Sequence, residues 1–268
     1  FALQNSSIHS FYNGGWTVNN SLPEYWRNSY TAIHEANNFL EKLDKISLED
    51  YIYSVTEGTS YEQLKARFDL FAYEVRALRA YYYFDLLRAY GDAPLVLTTL
   101  TIEQANNVER TSADDIIDFI VSECDAIAEY LPINYENEMS QQLGRTSRPF
   151  VLALKARTLL YAASPLLNPT NDIAKWEKAA KANKTVIDKC TEWGFVIGKY
   201  ADLWGNNSFG NDEFIFAIAK IQDNSFEAQN YPIGLEGGNS GNCPTQTLVD
   251  QYEFQTGPNA GKTFGEVY

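Results

Sequence analysis

The chain has 268 residues, 45% of them hydrophobic, which suffices for a sizeable core in one or two domains. Its 21 lysines and arginines against 35 aspartates and glutamates give a net charge of -14, and no basic cluster offsets it, so binding to nucleic acid or an anionic leaflet is excluded. Cys124, Cys190 and Cys243 are widely spaced and odd in number, so they supply neither a disulfide framework nor a CxxC metal site, and at least one thiol is free; no apolar run approaches the ~20 residues that cross a bilayer.

Ahead of the first predicted helix lies Tyr12-Asn-Gly-Gly-Trp16-Thr-Val-Asn19-Asn20, an aromatic ring beside flexible glycines and amide side chains. Trp16 suits stacking on the apolar face of a sugar, Asn19 can hydrogen-bond the rim hydroxyls, and Tyr12 adds a second ring or donor. An equal alternative is that Trp16 staples this loop to the first helix beside Trp26. That helix follows Ser21, with Pro23 just inside its start and Trp26, Tyr30, Ile33, Leu40 and Leu43 at helical spacing.

The second helix runs from about Tyr61 to Tyr90, about 45 Å at 1.5 Å per residue. Leu64, Phe68, Phe71, Val75, Leu78, Tyr82 and Leu86 form one apolar stripe, and from Ala77 a second stripe of Tyr81, Phe84 and Leu87 joins it, so neighbours must cover both sides. Gly91 supplies the left-handed cap and Pro94 bars continuation. Glu74, Arg76, Arg79, Asp85 and Arg88 interrupt the apolar surface and are expected to pair, as at the Asp85 to Arg88 spacing, in a structural role rather than a catalytic one.

Ser112-Ala-Asp-Asp115 reads as a capping box with Asp for the usual Glu and opens a third helix through Ile127, ending near Leu131-Pro132. Pro149 starts a fourth helix whose Ala153, Ala156, Ala162 and Ala163 permit close approach of neighbours, and Pro165 ends it. A fifth, from about Asp172 to Lys189, has Trp176, Ala179, Ala180, Val186 and Ile187 as its inward set. Phe195-Val-Ile197 and Glu213 to Ala219 read as short extended segments by their β-branched and aromatic content. Helices in pairs, with bulky aromatics early and alanines late, point to a mainly α, tetratricopeptide-like scaffold without the strict 34-residue consensus.

Three blocks, in order, carry a family resemblance. Glu74 to Val96 resembles the signature helix of the SusD/RagB-like family, in which arginines, alanines and consecutive tyrosines run into Tyr-Gly-Asp-x-Pro-Leu. Gly144-Arg145 with Ala153 to Ala163 is similar to a second block, and Pro244-Thr-Gln-Thr-Leu-Val-Asp-Gln-Tyr-Glu253 to a third. The sequence departs from the family at Arg148-Pro149-Phe150, where small residues are usual. The resemblance implies a surface glycan-binding lipoprotein of the outer membrane, anchored through an N-terminal cysteine that this sequence does not contain. It implies capture of oligo- or polysaccharide, without chemistry, for import through a SusC-like TonB-dependent transporter. It further implies an incomplete chain: a helical region over 1–222, and over 223–268 the start of a loop-rich second region.

The expected glycan-binding residues are Trp16, Asn19 and Tyr12, with Trp204 and Tyr231 as further candidates in later polar loops. No catalytic residue, metal or cofactor is expected. A peptide-binding protein of the same family is the alternative, and a glycoside hydrolase a weaker one, since no carboxylate pair stands out. Gly257-Pro-Asn-Ala-Gly261-Lys262-Thr263 mimics a phosphate-binding loop but has one residue too few between its glycines. Gly234 to Gly241 reads as a flexible surface loop. His34 reads as a packing residue, and Asn206 to Glu213 as turns and caps rather than calcium ligands.

Overall fold

The computed structural model describes Thr17 and residues 25–49, 61–135, 144–203, 211–218, 224–239 and 244–268. Two compact units emerge: residues 23–219, and residues 1–22 together with 220–268.

The first unit is a series of helices in which the long ones pack each on the long helix before it. They are α1 (Tyr25–Leu43), α2 (Tyr61–Tyr90), the single-turn α3 (Ile102–Asn106), α4 (Ala113–Ile127), α5 (Arg148–Ala163) and α6 (Ile173–Glu192). α1 packs on α2, α2 on α4, α4 on α5 and α5 on α6. The core is concentrated where the second apolar stripe of α2 begins. Ala77, Ala80, Tyr83, Phe84, Leu86 and Leu87 of α2 meet Ile33 of α1, Ile116, Ile120 and Ile127 of α4, and Phe150, Val151 and Leu154 of α5. Two covered sides make the end of α2 the central element, and its first half stays largely on the surface.

The helix ends follow local chemistry. Gly91, at φ 69°, donates its N–H to Leu87 O and closes α2 in a conformation that only glycine adopts without strain. At α4 the Ser112 hydroxyl accepts from Asp115 N–H at 3.1 Å and donates to the Asp115 carboxylate at 2.6 Å. The capping box therefore closes side chain to side chain, and a carboxylate on the neighbouring loop, Asp92, takes the Ala113 N–H at 2.8 Å. Pro149 lies in the first turn of α5, where it costs no hydrogen bond. Arg148 resolves the departure at that entry: its guanidinium donates to Leu131 O and Glu129 O, carbonyls at the end of the 3-10 turn Ala128–Tyr130. Pro149 and Phe150 are buried behind it. The alanines of α5 admit α6 closely, with Asn183 of α6 bonding Ala179 O of its own helix and reaching Ala156 O of α5.

Three expectations are corrected. Residues 195–197 and 213–218 form no strand; Val196 N–H bonds to Asp212 O, just before the second segment, and Gly198 N–H turns to the Glu213 carboxylate. The apolar content of the second segment reflects burial instead, since Ile215 and Phe216 pack on the core and Phe216 meets the Phe150 ring at 4.4 Å, whereas Val196 and Ile197 of the first are exposed. The inward set of α6 is narrower than its periodicity suggests. Ala179 is buried, but Trp176, Ala180 and Ile187 are exposed, because among the described residues α6 packs chiefly on α5. Trp176 instead donates its indole N–H to Asn171, a residue at φ 54° in the turn before the helix. Finally, α3 was not anticipated; a capping box between Thr101 and Gln104 builds it.

The second unit is described over two short stretches. Helix α7 (Ser225–Asn230) leads into turns in which Gly238 is buried, and a Cβ there would stand 2.3 Å from Pro232 O. Asn239 N–H closes back on Ala228 O at 2.7 Å, so residues 231–239 form a tight hydrogen-bonded turn rather than an open loop. After α8 (Gln246–Val249), residues 250–265 fold back on themselves and end in α9 (Phe264–Val267). The phosphate-loop mimic lies at this turn, with Gly257 at φ 87° and Gly261 at φ 79°, and no strand precedes it.

Candidate ligand-binding surface

The charges along α2 are tied to residues far away in sequence. Arg76 forks onto Glu123 of α4 at 3.0 and 2.7 Å, and buried Arg79 reaches the same carboxylate at 3.4 Å while donating to Asn37 Oδ1 of α1 at 2.8 Å. Burial works to raise the Glu123 carboxyl, but the hydrogen bonds and charge of Arg76 and Arg79 outweigh it and hold it below its ordinary value. Glu74 accepts from Arg145, whose guanidinium lies over the rings of Phe71 and Tyr135 at 5.3 and 4.8 Å. The Asp85–Arg88 pair forms as expected at 3.0 Å, yet Arg88 is exposed, and burial raises the Asp85 carboxyl despite the neighbouring arginines. These carboxylates are engaged by arginines, as expected of scaffold groups rather than of acids or nucleophiles. Burial pushes the Cys124 thiol up to about 12, which leaves it unreactive in the core.

The same residues fix the chain that leaves α2. Residues 93–98 run extended with little backbone pairing: a single antiparallel bridge joins Ala93 to Thr111. Side chains take over from there. The Tyr83 hydroxyl accepts from Val96 N–H at 2.7 Å and donates to Val96 O at 2.8 Å; Tyr30 donates to Pro94 O; the Asn37 amide donates to Val96 O and Thr98 O; Arg79 reaches Leu97 O. Burial pushes the Tyr83 hydroxyl up to about 12, so it stays protonated and able to donate. This explains why the signature helix carries a tyrosine and an arginine on its buried side.

Between α1 and this segment lies a cavity of about 370 Å³. One wall is a single stripe of α1, formed by Trp26, Tyr30, Ile33, His34 and Asn37; the other is the alternate residues Pro94, Val96, Thr98 and Leu100, with Ala105 and Val108 at one end. His34 is therefore an exposed residue at a cavity wall and not a packed one. Trp26 is enclosed by other groups: the Tyr30 ring at 4.9 Å, the Tyr90 ring edge-on at 5.2 Å, and the Arg110 guanidinium at 5.4 Å.

Of the expected glycan-binding residues, Tyr231 is described. It sits just past α7, its N–H bonded to Glu227 O at 2.8 Å and its side chain exposed. Tyr12, Trp16, Asn19 and Trp204 lie outside the described residues, as does Cys243. Among the described residues no group of histidine, cysteine, aspartate or glutamate side chains is arranged to hold a metal ion, and no helix is long and apolar enough to cross a membrane.

Comparison with known proteins now places the chain. A SusD-like protein of Formosa agariphila is 23% identical over 217 residues, 81% of this chain and 36% of that protein. A SusD-like carbohydrate-binding protein from Bacteroides fragilis is 28% identical with a TM-score of 0.62, covering 92% of this chain and 42% of its own. The surface glycan-binding protein A from Bacteroides uniformis is 25% identical with a TM-score of 0.57, covering 78% and 40%. The chain thus spans well under half the length of these relatives. The helical array is the tetratricopeptide-like scaffold of SusD-like structures. A family model for SusD-like proteins, described as starch-binding and associating with the outer membrane, matches residues 1–160, and the chain belongs to that family.

Proposed function

We propose that the protein captures oligo- or polysaccharide at the cell surface and hands it to a SusC-like TonB-dependent transporter, held at the outer membrane by a lipid-modified cysteine upstream of Phe1. The observation that carries this reading is the family match over residues 1–160, a range that includes Tyr12 to Asn20. In this reading Trp16 stacks on the C–H face of a sugar ring, Asn19 bonds its hydroxyls, and Tyr12 adds a ring or donor. Trp204 and Tyr231 are further candidate contacts by the same chemistry, and Tyr231 suits that role because its N–H is bonded to Glu227 O while the ring stays open to solvent. Capture needs no covalent step, and no residue is assigned a catalytic role.

The test is a calorimetric titration against α- and β-linked oligosaccharides of glucose, mannose and xylose, run beside a panel of neutral peptides, with reducing ends assayed in the same mixtures. Saturable binding of at least one oligosaccharide with no new reducing ends is the expected result. New reducing ends would replace capture with hydrolysis, and binding confined to peptides would move the ligand class to peptides.

A further inference from the structure

We infer that the cavity between α1 and residues 94–100 is a separate binding site for a small apolar ligand, an aryl or branched-alkyl group carrying one hydrogen-bond acceptor. Its volume, about 370 Å³, falls within the range of about 300 to 1,000 Å³ typical of small-molecule sites. Its walls decide the chemistry. Ile33, Val96, Leu100 and Val108 present hydrocarbon, and the polar groups set deepest among them are already spent. The Asn37 amide nitrogen serves Val96 O and Thr98 O, its oxygen accepts from Arg79, and the Tyr30 hydroxyl donates to Pro94 O. A sugar entering here would give up water at its hydroxyls and regain few partners, which is unfavourable. Nor is Trp26 an open stacking platform, since Tyr30, Tyr90 and Arg110 surround its ring. An apolar ring loses nothing on entry.

Three donors remain. The Trp26 indole N–H, the His34 imidazole and the Thr98 hydroxyl have no hydrogen-bond partner among the described residues, and all three line the cavity. An acceptor on the ligand satisfies one of them. The cavity is also built to stay open. The Val96 N–H and the carbonyls of Pro94, Val96, Leu97 and Thr98 are held by Tyr83, Tyr30, Asn37 and Arg79, so this wall cannot slide inward, and it offers little backbone for a peptide strand to pair with. A small molecule therefore fits the observations better than an added strand.

The experiment uses prodan, a neutral naphthalene bearing a ketone, whose emission shifts to the blue in apolar surroundings. Titrated into the full chain, it should show a saturable one-to-one blue shift and move the Trp26 indole N–H resonance. Ala105 lines the cavity and is exposed, so Ala105→Trp fills the space without replacing a core residue. That variant should bind prodan at least about tenfold more weakly, and Ala105→Ser should bind it as the unaltered chain does. Saturating oligosaccharide should leave bound prodan in place. No saturable shift, an unmoved Trp26 resonance, or Ala105→Trp binding as tightly as the unaltered chain would each overturn the inference, and displacement by oligosaccharide would merge this site with the glycan platform. Oligosaccharide binding is read separately, so its failure leaves a prodan result standing, and the reverse holds too.

Discussion

Residues 93–98 and residues 250–265 are both irregular chain, yet they are held in opposite ways. In the first, side chains from α1 and α2 bind the backbone, with Tyr83, Asn37, Tyr30 and Arg79 standing where a neighbouring strand would. In the second, the backbone binds itself: Phe254 N–H to Lys262 O, Gly261 N–H to Phe254 O, Phe264 N–H to Tyr252 O and Gly265 N–H to Asp250 O. The first segment therefore depends on the identity of distant residues. The second depends on local conformation, with glycines at positive φ and Gly265 pressed against Asp250, where a Cβ would stand 3.0 Å from the aspartate Cβ.

Arg79 gives the strongest way to break this contrast. Arg79→Ala removes the donor shared by Asn37, Leu97 and Glu123 from a buried setting, and the expected loss is about 3 to 5 kcal/mol in equilibrium denaturation. A loss below about 1 kcal/mol would show that the side-chain frame is dispensable. Tyr83→Phe is narrower. It deletes both hydrogen bonds to Val96 while keeping the ring, and should cost about 1 to 2 kcal/mol, with faster amide exchange at Val96. Gly265→Ala probes the other region. It should cost about 1 kcal/mol, with amide exchange rising across 250–265 and unchanged at Val96; a change at Val96 would mean the two segments are not independently held.

Asp85→Asn should have the smallest effect, within about 0.5 kcal/mol at neutral pH, because Arg88 is exposed and the pair is screened. Its signature lies in pH. Burial raises the Asp85 carboxyl above its ordinary 3.8, so between that value and the raised one the folded state holds more protons than the unfolded chain. Ionised Asp85 thus weakens the fold at neutral pH, and this contribution is recovered as pH falls through the raised value. The pH dependence of stability in that window should flatten in Asp85→Asn; an unchanged profile would remove Asp85 as its source.

The sequence discloses those parts of the fold that are local. Tyr61 to Tyr90 is helical from end to end because its 3.6-residue stripes and Gly91 act within a few residues of chain, and Ser112 and Pro149 open their helices for the same reason. Partners far apart stay hidden. Arg76 and Glu123 are 47 residues apart and Glu74 and Arg145 are 71 apart, whereas only the adjacent pair, Asp85 and Arg88, could be read from spacing. Apolar content near Phe216 reads as strand because burial and β-propensity favour the same side chains. The cavity escapes the sequence because its walls come from stretches some 60 residues apart, although the alternation of Pro94, Val96, Thr98 and Leu100 was a visible trace of one wall. Of the candidate glycan-binding residues, Tyr231 is legible in the sequence as an exposed ring beside a turn, because polar and glycine-rich neighbours mark such turns.

The most direct test of glycan capture pairs calorimetry with thermal melting on Trp16→Ala, using whichever oligosaccharide the unaltered chain binds. The account predicts an affinity loss of roughly 1 to 3 kcal/mol, the scale of one stacked aromatic contact, with little change in melting temperature. Unchanged affinity with a clearly lower melting temperature would contradict it, making Trp16 a packing residue beside the first helix and placing the glycan elsewhere.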